Sequence, residues 1–102
     1  MNEIKFSKDF KKLDGKSFST VRRGHKWKLG HTYLVITPTK KFKAKLYHAM
    51  AYKFKDISED FLIMDTETEN IEEAVKLLNS FYDKKIGKDE RVYVLVFTRV
   101  DD

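Results

Sequence analysis

FKAKLYHAMAY, residues 42–52, alternates in a way that decides how the chain folds. Phe42, Ala44 and Leu46 fall on one side of an extended backbone, and Lys43, Lys45 and Tyr47 fall on the other. Successive side chains of a strand point to opposite faces. Apolar-in and basic-out at period two is therefore a half-buried strand. The pattern allows it to bend, or to run on through Lys53 and Phe54. A second stretch, RVYVLVFTR at 91–99, is apolar on both faces, so it belongs in the middle of a sheet and is covered on both sides. TYLVIT, residues 32–37, is another strand, apolar on both faces and ended by Pro38. Thr39 and Lys40 turn the chain. Phe18 to Arg22 is a shorter strand. The basic loop RRGHKWKLGH, residues 22–31 and punctuated by Gly24 and Gly30, joins it to the next.

Helices are expected where the period changes. Ser7 can cap a short one that buries Phe10 and Leu13 and stops at Gly15. Ser58 can cap a helical turn carrying Phe61, Leu62 and Met64. The acidic linker Asp65-Thr-Glu-Thr-Glu follows. Asn70 then caps a second helix, with Glu73 three residues on in a capping-box arrangement. Its apolar stripe is Ile71, Ala74, Val75, Leu78 and Phe81. Helix, strands, two helices and a final strand make an α+β fold. The strands are expected to curve into a small barrel, with flanking helices outside it or over an end.

The 102 residues are expected to form one domain, residues 1–102. The chain is 41% hydrophobic and 36% charged, enough apolar content to fold beneath a densely ionic surface. It has no cysteine, which excludes disulfides, thiolate nucleophiles and cysteine-ligated zinc and fits a reducing cytoplasm. The opening stretch MNEIKFSKDFKK carries charges throughout and no signal-like apolar run. No segment reaches the roughly 18 to 20 apolar residues of a membrane helix, so no membrane partner is expected. The net charge of +5 hides a strong asymmetry: residues 1–55 hold 15 Lys/Arg against 3 Asp/Glu, and residues 56–102 hold 6 against 13. A basic half of this kind attracts polyanions, of which nucleic acid is the commonest. A solvated ionic face would have the same composition.

Several segments, taken in order, resemble the ASCH domain of the PUA-like superfamily. IKFSKDFKKL is similar to that family's opening helix, and GKSFSTVR to its glycine-basic-…-Thr-aliphatic-Arg segment. KLGHTYLV is similar to its approach to the next strand, with His31 where the family has an acid. DISEDFLIMDTETENIEEAVKLLNSFY resembles its helix, acidic turn and second helix, and VYVLVFTRV its closing strand. The resemblance covers nearly the whole chain and rests on order and spacing. It implies a PUA/ASCH-like β-barrel with a cleft lined by the first strand and the acidic turn, and a role with RNA or modified nucleosides. Small members resembling this chain are amidohydrolases that deacylate acylated cytidine with a Lys, a Thr and a Glu. The Thr position matches Thr20, and the acid position falls on Asp65. The Lys position falls on Ser17. Lys16 stands beside it, and adjacent strand residues face opposite ways.

Each candidate residue has two readings. Thr20 is a nucleophile if a lysine of lowered basicity, Lys16, and a carboxylate, Asp65, attend it; otherwise it is a β-branched packing residue. Arg22 and Arg23 can fork onto phosphate or a base edge, or pair with the acidic half. Trp27, among His25, Lys26 and Lys28, can stack an unpaired base, or plug the end of the barrel. Lys41, Lys43 and Lys45 share a strand face and can track a phosphate backbone. Lysines there also guard an edge strand from aggregation. His25, His31 and His48 lack metal-ligand spacing, so no metal and no cofactor is expected.

The leading expectation is an RNA- or nucleotide-binding module, monomeric and cytoplasmic. Arg22, Arg23, Lys26, Trp27, Lys28, Lys43 and Lys45 would make the contacts. The alternative is a small amidohydrolase acting on an acylated nucleoside through Lys16, Thr20 and Asp65. A ribonuclease or a protein-interaction module is a further alternative.

Overall fold

The all-apolar stretch near the C-terminus does become an inner strand. In the computed structural model, which describes residues 2–24 and 26–100, five strands form one mixed sheet. They are β1 (Asn2–Lys5), β2 (Ser17–Arg22), β3 (Thr32–Ile36), β4 (Lys41–Lys53) and β5 (Arg91–Arg99), in the order β1-β3-β4-β5-β2. β1 runs parallel to β3, and every other pairing is antiparallel.

β5 shows why its sequence has no polar face. Leu95 and Phe97 enter a first core with Phe18, Tyr33, Val35, Ala44, Leu46 and the aromatic rings of Phe6 and Phe10. Val92 on the opposite side enters a second core with Val21 and the helix residues Leu62, Ala74 and Leu78. Both faces of β5 are thus covered, and burial of each large side chain contributes about 1.5–3 kcal/mol. β4 keeps its alternation through Ala44 and Leu46. A register shift between Leu46 and His48 then turns Ala49 inward and leaves Tyr47, His48 and Met50 exposed. β4 is the middle strand of the five, so its lysines guard no sheet edge. The edges are β1 and β2.

The helices follow their caps. Ser58 accepts from the Phe61 N–H at the start of α1 (Glu59–Thr66), and Asn70 accepts from the Glu73 N–H at the start of α2 (Ile71–Ser80). These bonds satisfy donors that helix N-termini otherwise leave open. Glu73 answers by accepting from Glu69 N–H, one residue earlier than the expected box.

The start of the chain differs from the expectation. NEIK forms the edge strand β1, too short to register as a period, and the helix begins only at Lys11. It is a single 3-10 turn, Lys11–Asp14, with Leu13 buried beneath it and Gly15 closing it. The α+β class stands. Among the described residues the sheet is open rather than a closed barrel. Among the described residues no helix is long and apolar enough to cross a membrane.

Candidate functional site

The free edge of β2 faces a cleft of about 440 Å³. Phe6 and Phe10 form one wall. Phe81 and Tyr82, just past α2, form another, and Thr20, Arg22 and Asp65 bring polar atoms between them. Chain segments far apart in sequence meet here because the 3-10 turn and α1 both pack against β2.

Asp65 is the buried hub, with 3% of its side chain exposed. Ser19 Oγ donates to its Oδ1 at 2.6 Å. Lys12 Nζ donates to the same oxygen at 3.2 Å and to the Asp65 backbone carbonyl at 2.6 Å. Lys12 is itself 15% exposed. Burial pulls its ammonium below the usual lysine range, and the Asp65 carboxylate opposes that fall. The lysine is held by its backbone as well. Glu67 accepts from the N–H groups of Lys11 and Lys12 at 2.9 and 2.7 Å. Glu67 reaches them from a left-handed turn at φ 56° that closes α1. A non-glycine residue there costs about 1–2 kcal/mol, which two charge-assisted hydrogen bonds offset.

Thr20 is 5% exposed, and Arg22 Nε donates to its Oγ1 at 3.0 Å. That bond occupies an oxygen lone pair and leaves the hydroxyl proton free to be given away. Arg22 also donates to the Lys5 carbonyl at 2.8 Å and lies 4.6 Å from the Phe6 ring centre. Burial lowers the Arg22 guanidinium from its ordinary value. It stays charged all the same.

Three expected residues therefore converge: Thr20, Asp65 and Arg22. Lys16 does not join them. It is exposed and lies off the cleft. It falls on the same side of β2 as Thr20, but four residues away, about 13 Å along an extended chain. Lys12 brings the ammonium instead. Sequence reading missed Lys12 and Glu67 because both act over a long range: Lys12 and Asp65 are 53 positions apart. The one available signal was that Lys12 precedes the buried Leu13 in a segment already read as packed.

The remaining predicted contacts lie elsewhere. Arg23 is clamped to the chain itself. It donates to both Glu90 oxygens and to the carbonyls of Lys84 and Lys85, and it lies 4.9 Å from the Tyr82 ring centre. The Glu90 bond raises the basicity of Arg23 and lowers the pKa of Glu90. These bonds tie the end of β2 to the 82–90 segment. Trp27 packs on Tyr33 against the first core, with its Nε1 buried and unpartnered among the described residues. The ring is half-buried, as the packing reading expects. Lys26 and Lys28 flank it, exposed and off the cleft, and Lys43 and Lys45 are exposed on the outer face of β4. His25 lies outside the described residues, and His31 and His48 are exposed.

No protein-family model matches the chain. No curated protein matches it either. Among solved structures, that of hypothetical protein PH0355 is similar: TM-score 0.55, 24% identity, covering 83% of this chain and 82% of that one. At that identity the likeness bears on the fold alone, and it agrees with a small α+β domain built on a mixed sheet.

Proposed function

We propose that the chain is an ASCH-type domain whose cleft takes a nucleoside or nucleotide-derived ligand. The carrying observation is the shared site: buried Asp65 and Thr20 and half-buried Lys12 and Arg22 line one cavity together with aromatic rings. Its 440 Å³ falls within the range of small-molecule sites, roughly 300–1,000 Å³. The barrel reading draws support from the approach of the two sheet edges. Phe6, next after β1, meets Phe18 of β2 edge to face at 6.1 Å, and Arg22 of β2 bonds the last carbonyl of β1. In this reading the protein acts as a cytoplasmic monomer.

The Lys12–Asp65 pair favours a second step on the same ligand, hydrolysis of an amide on an acylated nucleoside. Lys12, its basicity reduced by burial, takes the Thr20 proton as the hydroxyl oxygen attacks the acyl carbonyl. The C–N bond breaks, and the leaving amine receives that proton. Water then releases the acid from Thr20. Asp65 orients the lysine through the 3.2 Å contact.

The test is to incubate the protein with acylcytidine and follow released acid, with cytidine binding measured by calorimetry. Binding that is lost in Arg22→Ala, with release lost in Thr20→Val, is the expected pair of results. Binding without release leaves a recognition module. Neither binding nor release removes the proposal.

A further inference from the structure

β2 is an edge strand, and the direction of its backbone groups follows from two bonds at its ends. Arg99 N–H donates to the Lys16 carbonyl at 2.7 Å, so Lys16 turns its polar groups toward β5. In an antiparallel pair this alternates residue by residue. Phe18, Thr20 and Arg22 therefore bond to β5, in register with Phe97, Leu95 and Tyr93. Ser17, Ser19, Val21 and Arg23 turn theirs to the free edge. The far end agrees, since Arg23 N–H points outward and donates to the Tyr82 hydroxyl at 3.3 Å. Tyr82 thus caps the edge at that end. Between the cap and the Ser19–Asp65 bond, the Ser19 carbonyl and the Val21 N–H lie on the free edge, beside the cleft that Val21 lines.

We infer that β2 recognises the ligand through its backbone: the Ser19 carbonyl accepts from, and the Val21 N–H donates to, one edge of a planar heterocycle with adjacent donor and acceptor. An amino group beside a ring nitrogen, as in an aminopyrimidine or aminopurine, has that edge. A carbonyl at one residue and an N–H two residues on lie on the same side of an extended chain, spaced for such a pair. Phe6 and Phe10 on one side and Phe81 and Tyr82 on the other offer apolar surfaces to the ring. The free run is short, because Tyr82 closes it, and this favours a small flat ligand over an added peptide strand. The inference rests on reading the cleft as a ligand site and adds which face of the ligand is read and by what.

The test replaces one atom. Total synthesis of the chain with α-hydroxyvaline at 21 turns the Val21 N–H into an ester oxygen and keeps the side chain. That N–H does not pair with β5; the Thr20 carbonyl, now an ester, keeps its bond to β5 as a weaker acceptor, so the urea midpoint of the variant is measured beside its binding. Cytidine is the probe, with N4,N4-dimethylcytidine as the analogue lacking the amino donor. In the parent, the Val21 amide proton moves downfield as cytidine is added. The ester variant binds cytidine about tenfold more weakly than the parent. Dimethylcytidine binds weakly to parent and ester variant alike. Equal cytidine binding by parent and ester variant overturns the inference and leaves the ligand cleft standing. A parent that binds no cytidine and releases no acid overturns the underlying reading, and this inference with it. If an extended peptide binds instead and shifts the amides of Ser17, Ser19 and Val21 together, the edge is a strand-addition site and the inference fails.

Discussion

Lys12 and Arg22 at the cleft, and Lys43 and Lys45 on the outer face of β4, come from the same basic half of the chain but are in opposite physical situations. The first pair is half-buried against Asp65, Thr20 and backbone carbonyls, and that desolvation weakens the hold on the proton in both. The second pair stands in solvent on the middle strand of the sheet. Charge counts treat the two pairs alike. Desolvation separates them, because a buried ion without its partner costs several kcal/mol and an exposed one costs little.

The sharpest way to break that contrast is to remove the buried partner. Asp65→Ala strands the Lys12 ammonium and the Ser19 hydroxyl together, with an expected loss of about 3–5 kcal/mol in urea unfolding. Adding Lys12→Met to Asp65→Ala should recover much of it, since the stranded charge goes too. If Asp65→Ala costs less than about 1 kcal/mol, the cleft cations are as solvated as those of β4 and the contrast collapses.

Next is the chemistry. In the hydrolase reading, Lys12→Met, checked for folding by circular dichroism because it removes the ion partner of buried Asp65, should lower acid release from acylcytidine by about 10²–10⁴-fold, the usual weight of a general base. Lys16→Met, at the residue first expected to act, should leave release unchanged. The reverse outcome would return the role to Lys16 and require the strand to rearrange.

A smaller effect sharpens the same point through pH. The folded state holds the Lys12 proton less tightly than the unfolded chain does. Between the lowered folded value and the ordinary lysine value, the unfolded chain binds more protons. Stability therefore rises with pH across that window. Below it, the cost of burying the ammonium is present in full. The check is the urea midpoint of the parent against Lys12→Met from neutral to alkaline pH. The parent should gain on the variant as pH rises, and parallel curves would show that Lys12 is not desolvated.

How much of this was legible in the sequence depends on the range of the interaction. The alternation of Phe42, Ala44 and Leu46, the two-sided apolar run of β5 and the Asn70 cap are local patterns, and each became the expected element. Thr20, Arg22 and Asp65 came from the resemblance and do meet at one cleft. Lys12, beyond its place beside Leu13, and Glu67 carry no local signature, and each is set by packing between the first turn and α1. Trp27 was ambiguous because a ring flanked by cations reads alike whether it faces bases or a core. Its contact with Tyr33, across a loop, is visible only in the fold.

The exposed pair gives the smallest effect and the cleanest control. Lys43→Gln with Lys45→Gln should change stability by no more than about 0.5 kcal/mol, because the substitutions lie on solvated surface and break no partner in either core. Edge protection is already excluded for these lysines by the central place of β4, so increased aggregation is not expected. Two readings remain, and salt separates them. If the lysines track a phosphate backbone, single-stranded RNA binds the parent with an affinity that falls steeply with salt. The double variant then shows a log–log slope shallower by roughly one unit per lysine removed, about two in all. If the face is only solvated, parent and variant give the same slope and cytidine binding in the cleft is untouched. An altered cytidine affinity would couple the two regions, and then the contrast between buried and exposed cations would no longer be one between independent sites.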